Sequence, residues 1–314
     1  MERKFNKILV TGGAGYVGSV LIQKLLSDGY DVRVFDNLGF GSDSVIQYFG
    51  DTGFEFIKGD IRDKKAVADA VSGMDVVIHL AGIVGFPACR KNPQLSREVN
   101  VEGTRSVVEA TAGKIPILFA STGSTFGKML EKICYETTPL NPVSDYGRQK
   151  ADAEEIVKGN KEFVIYRFAT AFGVSPRMRL DLMVNDFVFR AVQERNLIVY
   201  EKNFMRTFIH VRDMARAFMF ALENYDRMRG EIYNVGDNDM NYSKEQICDL
   251  IKSKIDFYLH FADFDHDLDQ RDYVVSYDKI RDVGFRAEIG MEQGIDELLN
   301  AVAIIEVRNP YNNV

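Results

Sequence analysis

Short apolar, β-branched runs recur through the first half of the chain, at residues 7–11, 31–36, 54–58, 75–80, 116–121 and 163–168, and each predicts a strand. Segments with helical spacing of apolar residues lie between most of them. Strands joined by helical crossovers pair in parallel and carry helices on both faces, and the unbroken run Val76-Val77-Ile78 suits a strand buried from both sides. The pattern predicts an α/β fold with a doubly wound parallel sheet, on which ligands sit beyond the carboxyl ends of the strands. After about residue 170 the alternation gives way to helical segments, a strand-like stretch at 197–200 and a Tyr- and Asp-rich region at 256–278. The expected division is residues 1–170 for the sheet domain and 171–314 for a smaller C-terminal cap, some of whose segments return to the sheet.

With 314 residues, 46% hydrophobic and 27% charged, and seven prolines against 25 glycines, the composition is that of a globular protein able to bury a large core. Disordered, collagen-like and disulfide-dense classes are excluded. Against 46 acidic residues stand 39 basic ones, giving a net charge of −7 with no long Lys/Arg run, so neither nucleic acid nor an anionic membrane is an expected partner. Cys89, Cys134 and Cys248 are scattered and form no CxxC pair, which suggests neither a zinc site nor a disulfide framework and fits a reducing compartment. Met1-Glu2-Arg3-Lys4 leads directly into the strand-like run at Ile8, and no apolar stretch reaches about 18 residues; a cytoplasmic location is expected. The alternating Asp263, Asp265, Asp267 and Asp269 resemble the start of a calcium loop. Leu268 stands where that loop needs glycine, however, and Val274 where it needs a bidentate Glu, so no metal is expected.

Chemistry enters with Thr11-Gly12-Gly13-Ala14-Gly15-Tyr16-Val17-Gly18, which follows the first strand and opens a helix. Gly12, Gly15 and Gly18 stand where backbone must approach a pyrophosphate and where helix must pack on sheet. Asp36 follows the last of these glycines by 18 residues, at the end of the second strand, where a carboxylate accepts from ribose hydroxyls. It would repel a 2′-phosphate, Asn37-Leu38-Gly39 supplies no arginine and Arg33 lies on the strand itself, so the cofactor expected is NAD.

Tyr146-Gly147-Arg148-Gln149-Lys150 sets a phenol and an ammonium four residues apart on one helix face, where the cation favours the tyrosinate that takes a proton from an alcohol. Ser121-Thr122-Gly123-Ser124 ends the preceding strand with hydroxyls, of which Thr122 and Ser124 are candidate substrate contacts. There is no GxSxG elbow and no triad context for His79, His210, His260 or His266, which disfavours a serine hydrolase.

These pieces resemble the extended short-chain dehydrogenase/reductases of the nucleotide-sugar epimerase and dehydratase type, over nearly the whole chain: TGGAGYVGS at 11–19, FDNL at 35–38, GDIRD at 59–63, HLAG at 79–82, VNVEGT at 99–104, the Ser121-Thr122 pair, YGRQK at 146–150 and RTFIHVRDMA at 206–215. The resemblance implies a Rossmann-type NAD-binding domain under a nucleotide-sugar-binding cap. It implies that Asp60 and Ile61 flank the adenine, that Leu80 and Ala81 line the dinucleotide with Tyr16 and Val17, and that Asn100 supports the active-site helix. Tyr146 would be the base, Lys150 would bind the nicotinamide ribose and Thr122 would touch the sugar hydroxyl. A homodimer built through a helix pair that includes the Tyr146 helix is also implied.

Residues 175–187, 223–230 and 270–276 are similar to GDP-heptose 4-dehydrogenases of bacterial capsule pathways. By resemblance, Arg206 and Arg271 clasp the nucleotide pyrophosphate, and Arg177, Arg179 and Asn185 contact nucleotide or sugar. Gly123 and Ser124 replace the Asp-Glu pair of the 4,6-dehydratases, which disfavours dehydration; the strand end Arg167-Phe168-Ala169-Thr170 lacks an Asn common in 4-epimerases, and Gly82 replaces a common alanine. The expected activity is NAD-dependent oxidation at C4 of a nucleotide sugar in polysaccharide biosynthesis, completed as a 4-epimerisation. The alternatives are a GDP-heptose-type 4-dehydrogenase that releases the 4-keto sugar and a non-catalytic NAD sensor on the same fold.

Overall fold

The computed structural model describes residues 3–128, 133–262 and 274–305. Seven parallel strands form the main sheet: β1 (Lys7–Thr11), β2 (Asp31–Asp36), β3 (Phe54–Lys58), β4 (Val76–His79), β5 (Ile117–Thr122), β6 (Phe163–Phe168) and β7 (Glu231–Val235). Their spatial order is β3-β2-β1-β4-β5-β6-β7, with every pairing parallel. Strand order reverses between β1 and β4, so the crevice at their carboxyl ends is the ligand position of a Rossmann-type sheet. β4 is shorter than the 75–80 run suggested, and β5 starts and ends one residue later than expected.

Both faces of this sheet are buried, as the continuous apolar strands require. Ile8, Val10, Val32, Val34, Val76 and Ile78 point to one side, against helices Tyr16–Ser27 and Val211–Glu223. Leu9, Phe35, Val77, Phe119 and Ile165 point to the other, against helices Lys64–Val71, Thr104–Thr111 and Asp145–Lys158. β7 and helix Val211–Glu223 come from sequence beyond residue 170 and complete the sheet layer there.

A separate apolar core, including Phe172, Val184, Phe187, Val188, Phe208 and Ile247, underlies the cap. Its scaffold is strand Met205–His210, parallel to Thr170–Phe172 and antiparallel to Asn241–Ser243. The strand-like stretch at 197–200 is Asn196–Tyr200, paired in parallel with Tyr258–Ala262. Arg271 and the aspartates at 263, 265, 267 and 269 lie outside the described residues.

Candidate active site

The glycine loop is shaped by contacts that admit no side chain. Gly12 has φ +72°, and a Cβ there would lie 2.5 Å from the Ala81 nitrogen; at Gly18 a Cβ would lie 2.6 Å from the Gly12 carbonyl oxygen. The loop is thereby pressed onto the end of β4 and onto helix Tyr16–Ser27. Around Gly15 the space is open, a Cβ there meeting only the Gly12 oxygen at 3.1 Å within contact range. As N-cap, Gly15 also gives the first helical N–H groups no side-chain acceptor. Open space in front of a helix N-terminus is what a pyrophosphate requires, so the residues present fit a dinucleotide.

Asp36, at the end of β2, accepts from the Ala14 nitrogen at 3.1 Å and the Leu38 nitrogen at 2.8 Å. Burial pushes its carboxyl above the ordinary value, and those two N–H groups act against the rise. Each oxygen keeps accepting capacity for a ribose hydroxyl. Asn37 turns back to accept from the Gly39 nitrogen. Arg62 pairs with Asp60 at 2.7 Å and holds that carboxyl below its usual range. Ile61 is buried beneath Gly103. Leu80 and Ala81 hang from Thr11, through its carbonyl oxygen at 3.0 Å and its hydroxyl at 3.4 Å.

His79 links this junction to helix Thr104–Thr111. Its Nδ1 lies 2.7 Å from the Thr11 hydroxyl and its Nε2 3.0 Å from that of Thr104, which itself donates to the Asn100 carbonyl oxygen. Because the Thr104 proton is committed to Asn100, Nε2 carries the ring proton and Nδ1 accepts from Thr11. Burial drives the imidazole down to about 3, so it is neutral at physiological pH.

Asn100 sits in the π-helical turn Glu98–Gly103, a local distortion that re-aims side chains. Its Oδ1 accepts from the Ile83 nitrogen at 2.8 Å, and its Nδ2 donates to the Ile83 carbonyl oxygen and to Gln149 Oε1, each at 2.9 Å. The loop after β4 is thus tied to helix Asp145–Lys158, whose start is capped by the Ser144 hydroxyl. A Cβ on Gly82 would crowd Asn100 Oδ1 at 2.9 Å, which gives a local reason for glycine there.

Tyr146 and Lys150 occupy the buried face of that helix. Lys150 Nζ donates to the Ala120 carbonyl oxygen of β5 at 2.7 Å and stands 4.4 Å from the Phe119 ring centroid. Burial lowers its ammonium to about 8, with Cys89 and Glu154 opposing the fall. The helix start packs against Ser124, since a Cβ on Gly147 would lie 2.6 Å from the Ser124 oxygen. The Thr122 hydroxyl donates to Ser124 Oγ at 3.1 Å. The Lys150 ammonium and the Thr122 and Ser124 hydroxyls therefore lie at the carboxyl end of β5, with Lys150 Nζ 4.0 Å from where a Gly82 Cβ would stand, and Tyr146 lies on the same buried helix face as Lys150.

Sequence reasoning passed over Glu154. It lies four residues after Lys150 on the same face, accepts from the Ser121 hydroxyl at 2.5 Å and forms a fully buried pair with Arg167 at 2.7 Å. The i, i+4, i+8 spacing of residues 146, 150 and 154 was the available signal.

In the cap, Arg206 is buried on strand Met205–His210. Arg179 pairs with Asp181 at 2.6 Å, and a Cβ on Gly85 would approach its guanidinium to 3.7 Å. Asn185, expected to contact ligand, is fully buried with its amide engaged inside the protein. Its Oδ1 accepts from the Gly173 nitrogen at 2.9 Å, and its Nδ2 donates to the Arg179 carbonyl oxygen at 2.8 Å and the Tyr16 hydroxyl at 3.3 Å. It ties the cap loop at Gly173 and Arg179 to the Tyr16 phenol of the first helix. Arg177 lies against the loop after β2, 4.2 Å from the Phe40 ring centroid.

Residues 8–236 match the family described as the NAD dependent epimerase/dehydratase family. The chain belongs to that family. It is 30% identical over 306 residues to a Methanocaldococcus jannaschii protein provisionally named UDP-glucose 4-epimerase, covering 93% of this chain and 97% of that one. It is 28% identical over 333 residues to the CDP-paratose 2-epimerase of Salmonella typhi, covering 93% and 98%. Among solved structures, the Thermus thermophilus UDP-glucose 4-epimerase in complex with NAD superposes with a TM-score of 0.82 at 27% identity, covering 94% of this chain and 98% of that one. As a family member the protein is an NAD-dependent enzyme of the short-chain dehydrogenase/reductase type. Among the described residues, no cluster of His, Cys, Asp and Glu is arranged to hold a metal ion, and no helix is long and apolar enough to cross a membrane.

Proposed function

We propose that the protein is a nucleotide-sugar 4-epimerase working through a 4-keto sugar, in the cytoplasm and as a homodimer. One observation carries the reading: Tyr146 and Lys150 share a buried helix face laid over the hydroxyl-bearing end of β5, next to the Ala81-Gly82 loop of the dinucleotide site. A silent NAD sensor would need the glycine loop and Asp36 but not this second constellation.

Bound NAD supplies the hydride acceptor, and afterwards the donor, at the sugar C4. Tyr146, as tyrosinate beside the Lys150 ammonium, takes the C4 hydroxyl proton, and the Thr122 and Ser124 hydroxyls orient the oxygen from which it leaves. On return of hydride to the opposite face of the turned sugar, the Tyr146 phenol gives the proton back. Arg206 and Arg271 hold the nucleotide pyrophosphate while the sugar turns, and Arg179 faces it from the cap. Gly123 and Ser124 provide no acid–base pair for water loss, so the 4-keto sugar goes no further toward dehydration. The likeness of residues 175–187 to heptose dehydrogenases favours the competing outcome, release of the keto sugar.

Replacing the base tests the assignment. Tyr146→Phe should lower turnover about a hundredfold to ten-thousandfold on whichever UDP- or GDP-linked sugar the parent converts, with NAD affinity retained. Unchanged turnover would remove Tyr146 from the chemistry.

A further inference from the structure

Two segments from different parts of the chain meet over the adenosine end of the dinucleotide site. Phe40, about half-exposed, lies on the loop after β2, and Arg177 lies on the cap segment after strand Thr170–Phe172. The guanidinium carbon stands 4.2 Å from the ring centroid, within the range where a planar cation stacks on an aromatic face. Both segments are bolted to the glycine loop. The Ser44 hydroxyl donates to the Ala14 carbonyl oxygen at 2.9 Å. From the other side, the Ser175 hydroxyl donates to the Tyr16 carbonyl oxygen at 2.7 Å, and the Tyr16 phenol donates to that of Gly173 at 2.6 Å. Burial lowers the Arg177 guanidinium to about 10, with Arg179 adding to the fall and Asp181 and Asp36 opposing it, and Arg177 in turn opposes the rise that burial imposes on Asp36. Arg179 is taken up by Asp181 beside Gly85, although it stands close enough to Arg177 to disfavour its charge.

We propose that Arg177 is a cofactor-holding residue: with Phe40 it closes over the adenosine half of bound NAD and brings positive charge to the ribose–phosphate stretch next to Asp36. The two cap arginines thus divide their tasks, Arg177 serving the dinucleotide and Arg179 the sugar nucleotide. The anchoring through Tyr16 and Ser175 makes the glycine loop and the cap segment move as one piece, so the cap retains NAD independently of its hold on substrate. This rests on the NAD dependence of the family and not on which sugar is converted.

Titration calorimetry on the purified full chain, with NAD, ADP-ribose, UDP and GDP as separate ligands, tests it. Arg177→Ala should weaken NAD and ADP-ribose alike by about tenfold, the loss of one charge-assisted contact, and leave UDP and GDP binding within twofold of the parent. Phe40→Ala, a change at a half-exposed side chain that leaves the core intact, should weaken the same two ligands by about threefold, in line with an exposed cation–π contact. Unchanged NAD affinity in both variants overturns the proposal. So does weaker UDP or GDP binding with NAD unaffected, which would return Arg177 to the sugar nucleotide. A parent that binds NAD but neither UDP nor GDP would count against the epimerase reading and leave the NAD comparison intact.

Discussion

The sheet half and the cap hold their functional residues in different ways. At the carboxyl ends of β1, β4 and β5, positions are set by backbone contacts with no room for side chains, as at Gly12 and Gly18, and by short buried links such as Thr11–His79–Thr104. In the cap, arginines stand on a loop whose shape depends on one buried amide, Asn185, and on hydroxyl contacts reaching back to Tyr16 and Ser19. Chemistry common to many substrates needs fixed geometry and sits on the sheet. In the proposed function, choice of ligand falls to the cap, whose polar contacts can be exchanged without disturbing the sheet.

The largest expected asymmetry is in stability. Arg167→Met leaves Glu154 charged and unpaired inside the sheet half and should cost about 3–5 kcal/mol, whereas adding Glu154→Leu should recover most of that loss. Urea unfolding of the parent and both variants checks this, and a double variant as unstable as the single one would show that the pair does more than neutralise itself. In the cap seam, Asn185→Ala leaves the Gly173 N–H and the Arg179 carbonyl without their partner, for about 1–3 kcal/mol. Hydrogen exchange should then rise around residues 173–185 and stay unchanged along β1 and β4. An increase spread evenly over both halves would erase the distinction drawn between them.

The last prediction concerns pH. Burial depresses His79 to about 3 and His210 to about 4. Below an unfolded value of about 6.5 the unfolded chain binds protons that the folded chain does not. Stability should therefore be full above about pH 6.5 and fall as pH drops from there toward about 4, by up to roughly 1.4 kcal/mol per pH unit for each histidine. Denaturant melts between pH 7 and 5 should show this slope reduced in His79→Gln and in His210→Gln. One of them without effect would place that imidazole in contact with solvent.

Much of the sheet half was legible because its information is local. Apolar runs set the strands to within a residue, and the glycine spacing set the loop at the switch point. β7 was not read as a strand because Glu231–Val235 follows a long excursion through the cap, and sequence patterns do not carry pairing across such a distance. The partners of Asn185 and Arg177 could not be read from the sequence for the same reason. Asn185 is separated from its partner Tyr16 by 169 positions, and nothing near Arg177 in sequence announces Phe40 or Asp36. Glu154 was legible in its helical spacing, but its importance comes from Arg167 and Ser121 on neighbouring strands.

In a 4-epimerase, hydride leaves C4 and returns to it on the same enzyme. Proton NMR of the purified protein with NAD and a panel of UDP- and GDP-linked hexoses and heptoses in deuterated water tests it most directly. Epimerisation gives a new sugar anomeric signal with no net NADH and no deuterium at C4. A 4-keto sugar accumulating with stoichiometric NADH would contradict it and make the protein a 4-dehydrogenase.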